Sequence, residues 1–203
     1  MNPRRLVISQ LAALCFCAVA CGSAFANSLS IARGDGLKNT LFSTTRLGLQ
    51  TPCTARWKTL PGLCQYWDFS ATLWEEGAFK RQPHLRSSES VHLIGLSPVM
   101  RYTFRPRERL SVYIEAGIGL VALDHNTLPL GSGDARELGA FWQFEDRIGV
   151  GMRFGRNKRL GFGLRVLHYS NLKLADPNEG VDAALLTLEV ELGRWGASDG
   201  RNR

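Results

Sequence analysis

The chain has 203 residues, of which 44% are hydrophobic and 21% charged, with 21 Gly and a formal charge of +7. This is too apolar for a disordered chain, too charged for a helical membrane bundle, and of a length for one domain. No run of 18 apolar residues occurs, which excludes a bilayer-spanning helix.

The first element is a targeting segment. Arg4 and Arg5 precede an apolar run from Leu11 to Cys21, and Ala24-Phe25-Ala26 follows as an A-x-A cleavage signal. Residues 1–26 therefore read as a signal peptide and 27–203 as the mature domain, with a short polar tail at 196–203. Cleavage after Ala26 removes two Arg and no acid, lowering the formal charge by two. A lipoprotein signal ending at Cys21 is the competing reading, although Ala18 stands where Leu is usual. Export leaves Cys53 and Cys64 in a compartment that permits a disulfide. Pro52 and an uncertain register leave their pairing open. No C-x-x-C pair points to zinc or redox chemistry.

From residue 27 onward the dominant period is two. A short strand is expected near 28–33, followed by weakly alternating ones at 42–56, 63–75 and 91–104. From Leu110 to Ala122 every even position is apolar, while the odd positions include Ser111, Glu115, Gly117 and Gly119. Successive strand side chains point to opposite faces, so one face here is apolar and the other small or polar. The pattern returns at 144–154, 160–171 and 181–192, for eight strands in all. Short polar turns near 57–62, 105–109 and 155–159 alternate with longer loops near 34–41, 76–89, 124–138 and 172–180. The expected fold is all-β: an eight-stranded antiparallel transmembrane β-barrel of the outer-membrane type. An even count closes the sheet and leaves no edge.

The faces separate this fold from a soluble barrel. The non-apolar face carries Arg46, Arg101, Arg147, Arg153 and Arg165 against Asp68, Glu115, Glu145, Glu189 and Glu191. A narrow barrel interior is filled by side chains, and these charges can pair there with Gly relieving crowding. Trp57, Trp74, Phe104, Trp142 and Trp195 fall at strand ends and suit the membrane interfaces. The basic balance then fits lipid phosphates and headgroups rather than nucleic acid.

Polar residues on the lipid-facing register need a reason. His168 and Ser170 continue the face of Leu160, Phe162, Leu164 and Val166, and Asp182 opens the corresponding face of the next strand. Positions two apart on a strand lie about 6.5–7 Å from each other, so His168 and Ser170 can meet. A nucleophilic serine needs a base to take its proton and an acid to hold the imidazole. Interfacial polar residues without chemistry are the other reading. Gly117-Ile-Gly119-Leu-Val-Ala122 matches G-x-G-x-x-A but lies inside an alternating strand, not at a strand–helix junction. His84, His92 and His125 lack ligand spacing and read as loop or interface residues.

Four segments resemble the PagL-type lipid A 3-O-deacylases of Gram-negative outer membranes. They are Tyr113-Ile-Glu-Ala-Gly-Ile-Gly119, Phe144-Glu-Asp-Arg-Ile-Gly149, His168-Tyr-Ser-Asn171 and Pro177-Asn178-Glu179-Gly180. Weaker similarity extends through Arg46-Leu-Gly-Leu49 and Tyr66-Trp67-Asp68. The resemblance implies a serine esterase that hydrolyses the ester-linked acyl chain at position 3 of lipid A. It assigns Ser170 as nucleophile, His168 as general base and Asp182 as the acid. It also implies that Asn171 supports the oxyanion and that Asn178 fills a further motif position. Two departures stand out. The acid is Asp where the family has Glu, with Glu179 as a fallback, and Leu172-Lys173 replace a small residue and Gly. The expected partners are lipid A within lipopolysaccharide and the outer membrane, with a homodimer left open and no nucleic acid; no cofactor or metal is expected. The rival functions are a structural or adhesion barrel and an outer-membrane phospholipase.

Overall fold

The computed structural model describes residues 27–37, 42–53, 59–76, 90–104, 109–130, 135–155 and 159–192. The signal segment 1–26, the tail 196–203, His84, Trp57 and Trp195 lie outside them. Among the described residues ten strands follow in chain order: β1 (Ser28–Gly36), β2 (Phe42–Gln50), β3 (Leu63–Glu76), β4 (Val91–Thr103), β5 (Ser111–Leu123), β6 (Thr127–Pro129), β7 (Ala135–Glu137), β8 (Trp142–Phe154), β9 (Leu160–Ser170) and β10 (Val181–Glu191). Eight of them close a barrel in the order β1-β10-β9-β8-β5-β4-β3-β2, and β6 pairs with β7 as a separate hairpin. Every barrel pairing is antiparallel.

The strands match the alternation closely, with three differences. β1 runs on to Gly36, so the first long loop is shorter than the sequence suggested. β2 ends at Gln50 rather than at residue 56. Pro52 lies just beyond and lacks the N–H a ladder needs. Cys53 and Cys64 are joined by a disulfide with Cα atoms 5.5 Å apart, which closes the turn between β2 and β3. The loop 124–138 is not plain loop, because it carries the β6–β7 hairpin.

The apolar faces point outward. Ile118 is 62% exposed and Ile148 64%, with Ile114, Leu120, Leu164 and Leu188 about half exposed. Such a continuous apolar belt is at home only in hydrocarbon. The charged faces point inward and form two connected networks. Toward the short-turn end, Arg101 and Arg165 each pair with both Glu115 and Glu189. Arg153 reaches Glu189 at 3.2 Å, and Arg101 stacks on Tyr113, 4.0 Å from its ring centre. At mid-height Arg46 and Arg147 each pair with both Asp68 and Glu145. Ser97 and Tyr169 donate their hydroxyls to Glu145 as well. Shared pairing of this kind offsets the cost of burying charge. Gly151 makes room for it: a Cβ there would stand 2.4 Å from the Tyr113 ring.

The long-loop end of the interior differs from the sequence reading. It is an apolar plug of Phe42, Trp74, Leu93, Leu167, Leu185 and their neighbours, all buried. Trp74 belongs to it, fully buried against Phe42 and edge-on to Tyr169 at 4.9 Å. It is not an interface aromatic. An indole at a strand end satisfies either environment, and its inward register decides. Phe104 and Trp142 do face outward. The plug gives the rim, where the long loops attach, a solid floor.

Candidate active site

The three residues marked by their registers sit at the long-loop rim on the outer face. His168 lies opposite Asp182 across β9 and β10, with Nδ1 2.7 Å from Asp182 Oδ1. The cross-strand pairing sets this contact, because directly opposed side chains on one face are neighbours. Asp182 therefore meets the histidine without the extra methylene of Glu. Ser170 is two residues beyond His168, opposite Phe144 and buried. Intervening Tyr169 turns inward to Glu145, which holds the strand end in register.

The loop 171–180 joins β9 to β10 at this end of the barrel. Asn171 is fully buried and donates from Nδ2 to Leu138 O at 2.9 Å and to Ala175 O at 2.8 Å. Both hydrogens of that amide are thus committed within the loop and to the root of β7. Its backbone N–H donates to Asn178 Oδ1 at 3.1 Å, which fixes the Asn178 amide by its oxygen. Leu172 and Lys173 adopt left-handed backbone with φ of 55° and 61°. Gly takes this conformation freely and larger residues at a cost, so both positions carry backbone strain. Gly180, with φ of 61°, backs the histidine: a Cβ there would lie 3.3 Å from His168 Cε1. Glu179 does not serve the imidazole in this arrangement. Its Oε2 accepts the Glu137 N–H at 2.9 Å.

One residue escaped the sequence reading. Asp146 stands opposite His168 on β8, on the lipid-facing register. An acid interrupting Phe144, Ile148 and Val150 was the available signal; its significance depends on β8 being the other neighbour of β9. Beside these residues an open apolar groove crosses the barrel wall. Val166, Ile148, Ala116 and Met100 form one cross-strand row, and His168 and Asp146 lie at the groove's edge.

His92 and His125 are not part of this site. Both imidazoles contact Asp124, at 2.7 Å and 3.1 Å, at the rim of β4 and β5. Partial burial pushes the Asp124 carboxyl up, but hydrogen bonds from His92 and His125 outweigh it and hold the group below the usual range. Among the described residues no cluster of His, Cys, Asp and Glu is arranged to hold a metal ion.

A family model described as lipid A 3-O-deacylase (PagL) matches residues 43–191. A lipid A deacylase PagL of Pseudomonas aeruginosa is 35% identical over 154 residues, spanning 73% of this chain and 78% of its own. One of Bordetella bronchiseptica is 39% identical over 75 residues, spanning 37% of this chain and 38% of its own. The crystal structure of the outer membrane enzyme PagL superposes with a TM-score of 0.66 at 32% identity, covering 81% of this chain and 99% of that one.

Proposed function

The chain belongs to the PagL family of lipid A 3-O-deacylases, and on that premise we propose that Ser170, His168 and Asp182 are its catalytic triad. The protein is an outer-membrane hydrolase that deacylates lipid A. The observation that carries the triad reading is the 2.7 Å contact of His168 Nδ1 with Asp182 on the lipid-facing wall, beside Ser170 on the same strand. A soluble esterase would put such groups in a water-lined cleft. Here the substrate's acyl chains are the solvent of the outer face, so the chemistry belongs where headgroup and hydrocarbon meet.

In this reading Asp182 fixes the proton on Nδ1, which leaves Nε2 as the base. Ser170 Oγ attacks the ester carbonyl while its proton passes to Nε2. The resulting tetrahedral oxyanion needs donors, and Asn178, anchored through its oxygen, has an Nδ2 to offer. Collapse breaks the bond to the sugar oxygen, which leaves with the proton from Nε2. Water then attacks the acyl-serine, giving its proton to His168, and the fatty acid departs as Ser170 is restored. The groove along the row of Val166, Ile148, Ala116 and Met100 suits the scissile acyl chain, with Asp146 at its edge as an acceptor for a polar hydrogen of the substrate.

The decisive experiment is a lipid A mass spectrum before and after incubation with purified Ser170→Ala protein in detergent micelles. Loss of deacylation with an unchanged barrel, judged by heat-modifiable gel mobility, is the expected result; retained deacylation refutes the triad. A phospholipid substrate run in parallel separates deacylation of lipid A from a general phospholipase, and turnover of both would favour the latter.

A further inference from the structure

Between β5 and β8 the hairpin β6–β7 stands clear of the barrel ladder, yet its root is firmly held. Leu128 and Leu138 are fully buried in the apolar plug. Leu138 N–H donates to Asn126 O at 2.8 Å, and Gln143 Nε2 donates to Leu138 O and Ala140 O. The return strand β7 lies along the loop that leads into β10. Arg136 Nη1 donates to Glu179 O and to Gly180 O, each at 3.1 Å. Glu137 N–H donates to Glu179 Oε2, Glu179 N–H donates to Glu137 O at 3.4 Å, and Asn171 Nδ2 reaches Leu138 O.

These contacts converge on the segment that sets the histidine. The two carbonyls gripped by Arg136 belong to Glu179 and Gly180, immediately before Val181 and Asp182 in the chain. Gly180 backs the His168 ring, and Asp182 binds its Nδ1. Two successive carbonyls accept from one guanidinium nitrogen where Gly180 is left-handed, and a charged donor makes such hydrogen bonds shorter and stronger than a neutral one would. Arg136 is half-buried and supplies that donor.

We propose that the β6–β7 arm is the positioning element of the site, with Arg136 as a positioning residue that acts through Gly180 on His168 and Asp182. The inference rests on the triad reading and adds a residue to it. Arg136 ties down a ten-residue connection whose own left-handed residues, Leu172 and Lys173, favour a different path. Small displacements of a base are costly in rate, and binding of a lipid held mainly by its acyl chains is not.

The test compares Arg136→Ala, Arg136→Lys and Glu179→Ala with the unaltered full chain in detergent micelles on lipid A. Arg33→Ala serves as the control, an exposed arginine at the same rim bound to Ser43 and Glu75. Arg136→Ala should lower kcat about tenfold with KM and thermal midpoint unchanged. Arg136→Lys should recover most of the loss, since it keeps a cation with several donors. Glu179→Ala, which cuts the strap from the loop side, should lower kcat in the same direction. The proposal is overturned if Arg136→Ala and Glu179→Ala both keep kcat, if the loss appears in KM alone, or if Arg33→Ala loses as much. Ser170→Ala, assayed alongside, reports on the triad by itself: turnover there refutes the triad whatever the arm variants do.

Discussion

Replacing Asp182 by Asn tests the negative charge that Asp182 sets against the His168 ring. The substitution keeps size and leaves the β9–β10 ladder intact, because Asp182 pairs with His168 through backbone register as well as side chain. It removes the negative charge from a contact of 2.7 Å. With charge centres about 4 Å apart and an effective dielectric of about 20, the imidazolium formed during attack loses roughly 4 kcal/mol of stabilisation. At about 1.36 kcal/mol per decade, kcat falls on the order of a thousandfold. An Asn amide that donates to Nδ1 also leaves the proton on Nε2, where it blocks the base, which acts in the same direction. The assay is release of fatty acid from lipid A in micelles, with folding checked by gel mobility. A variant within tenfold of the unaltered kcat would refute Asp182 as the orienting acid. Asp182→Glu should retain substantial activity, since the family position is Glu and the added methylene is absorbed at the partly exposed His168 side chain.

Ile148→Arg, in the middle of the outward belt, should weaken insertion into bilayers by about 2–4 kcal/mol, read from urea titration in lipid vesicles. An unchanged midpoint would mean this face does not meet hydrocarbon. Trp74→Ala should destabilise the barrel by about 3–5 kcal/mol through a cavity between Phe42 and Tyr169, measured as a lower thermal midpoint. A loss below about 1 kcal/mol would place the indole at the interface after all. Lys173→Gly should raise stability by up to about 1 kcal/mol and preserve kcat, because Gly accepts a φ of 61° that Lys adopts at a cost. Destabilisation by that change would show that the Lys side chain makes contacts outweighing the strain.

The alternation that gives the barrel away is a local property. Each strand had to bury one face in side chains and offer the other to lipid, so Leu110–Ala122 and Phe144–Phe154 carry the fold in their own order of residues. His168, Ser170 and Asp182 were legible for the same reason: they are polar on a register that is otherwise apolar. The apolar plug was not legible. Val181, Ala183 and Leu185 face inward while Ala184 and Leu186 face outward, and an apolar residue on either side looks the same in sequence. Trp74 went astray through that ambiguity. The β6–β7 strands are three residues each, too short to show any period.

By itself the sequence determined which residues share a face, because side-chain alternation along a strand needs no partner. It determined the even strand count, the polar exceptions on the lipid face and, through four linked motifs, the resemblance to lipid A deacylases. Only the tertiary structure decided which strands are neighbours. Sheet register sets Asp146 and Asp182 on opposite flanks of His168, the curved wall joins Arg46 to Asp68 and Glu145 inside the lumen, and loop packing brings Arg136 to the Gly180 carbonyl. Those contacts join residues 14 to 99 positions apart. Sheet register and loop packing bring them together, and no local pattern encodes either.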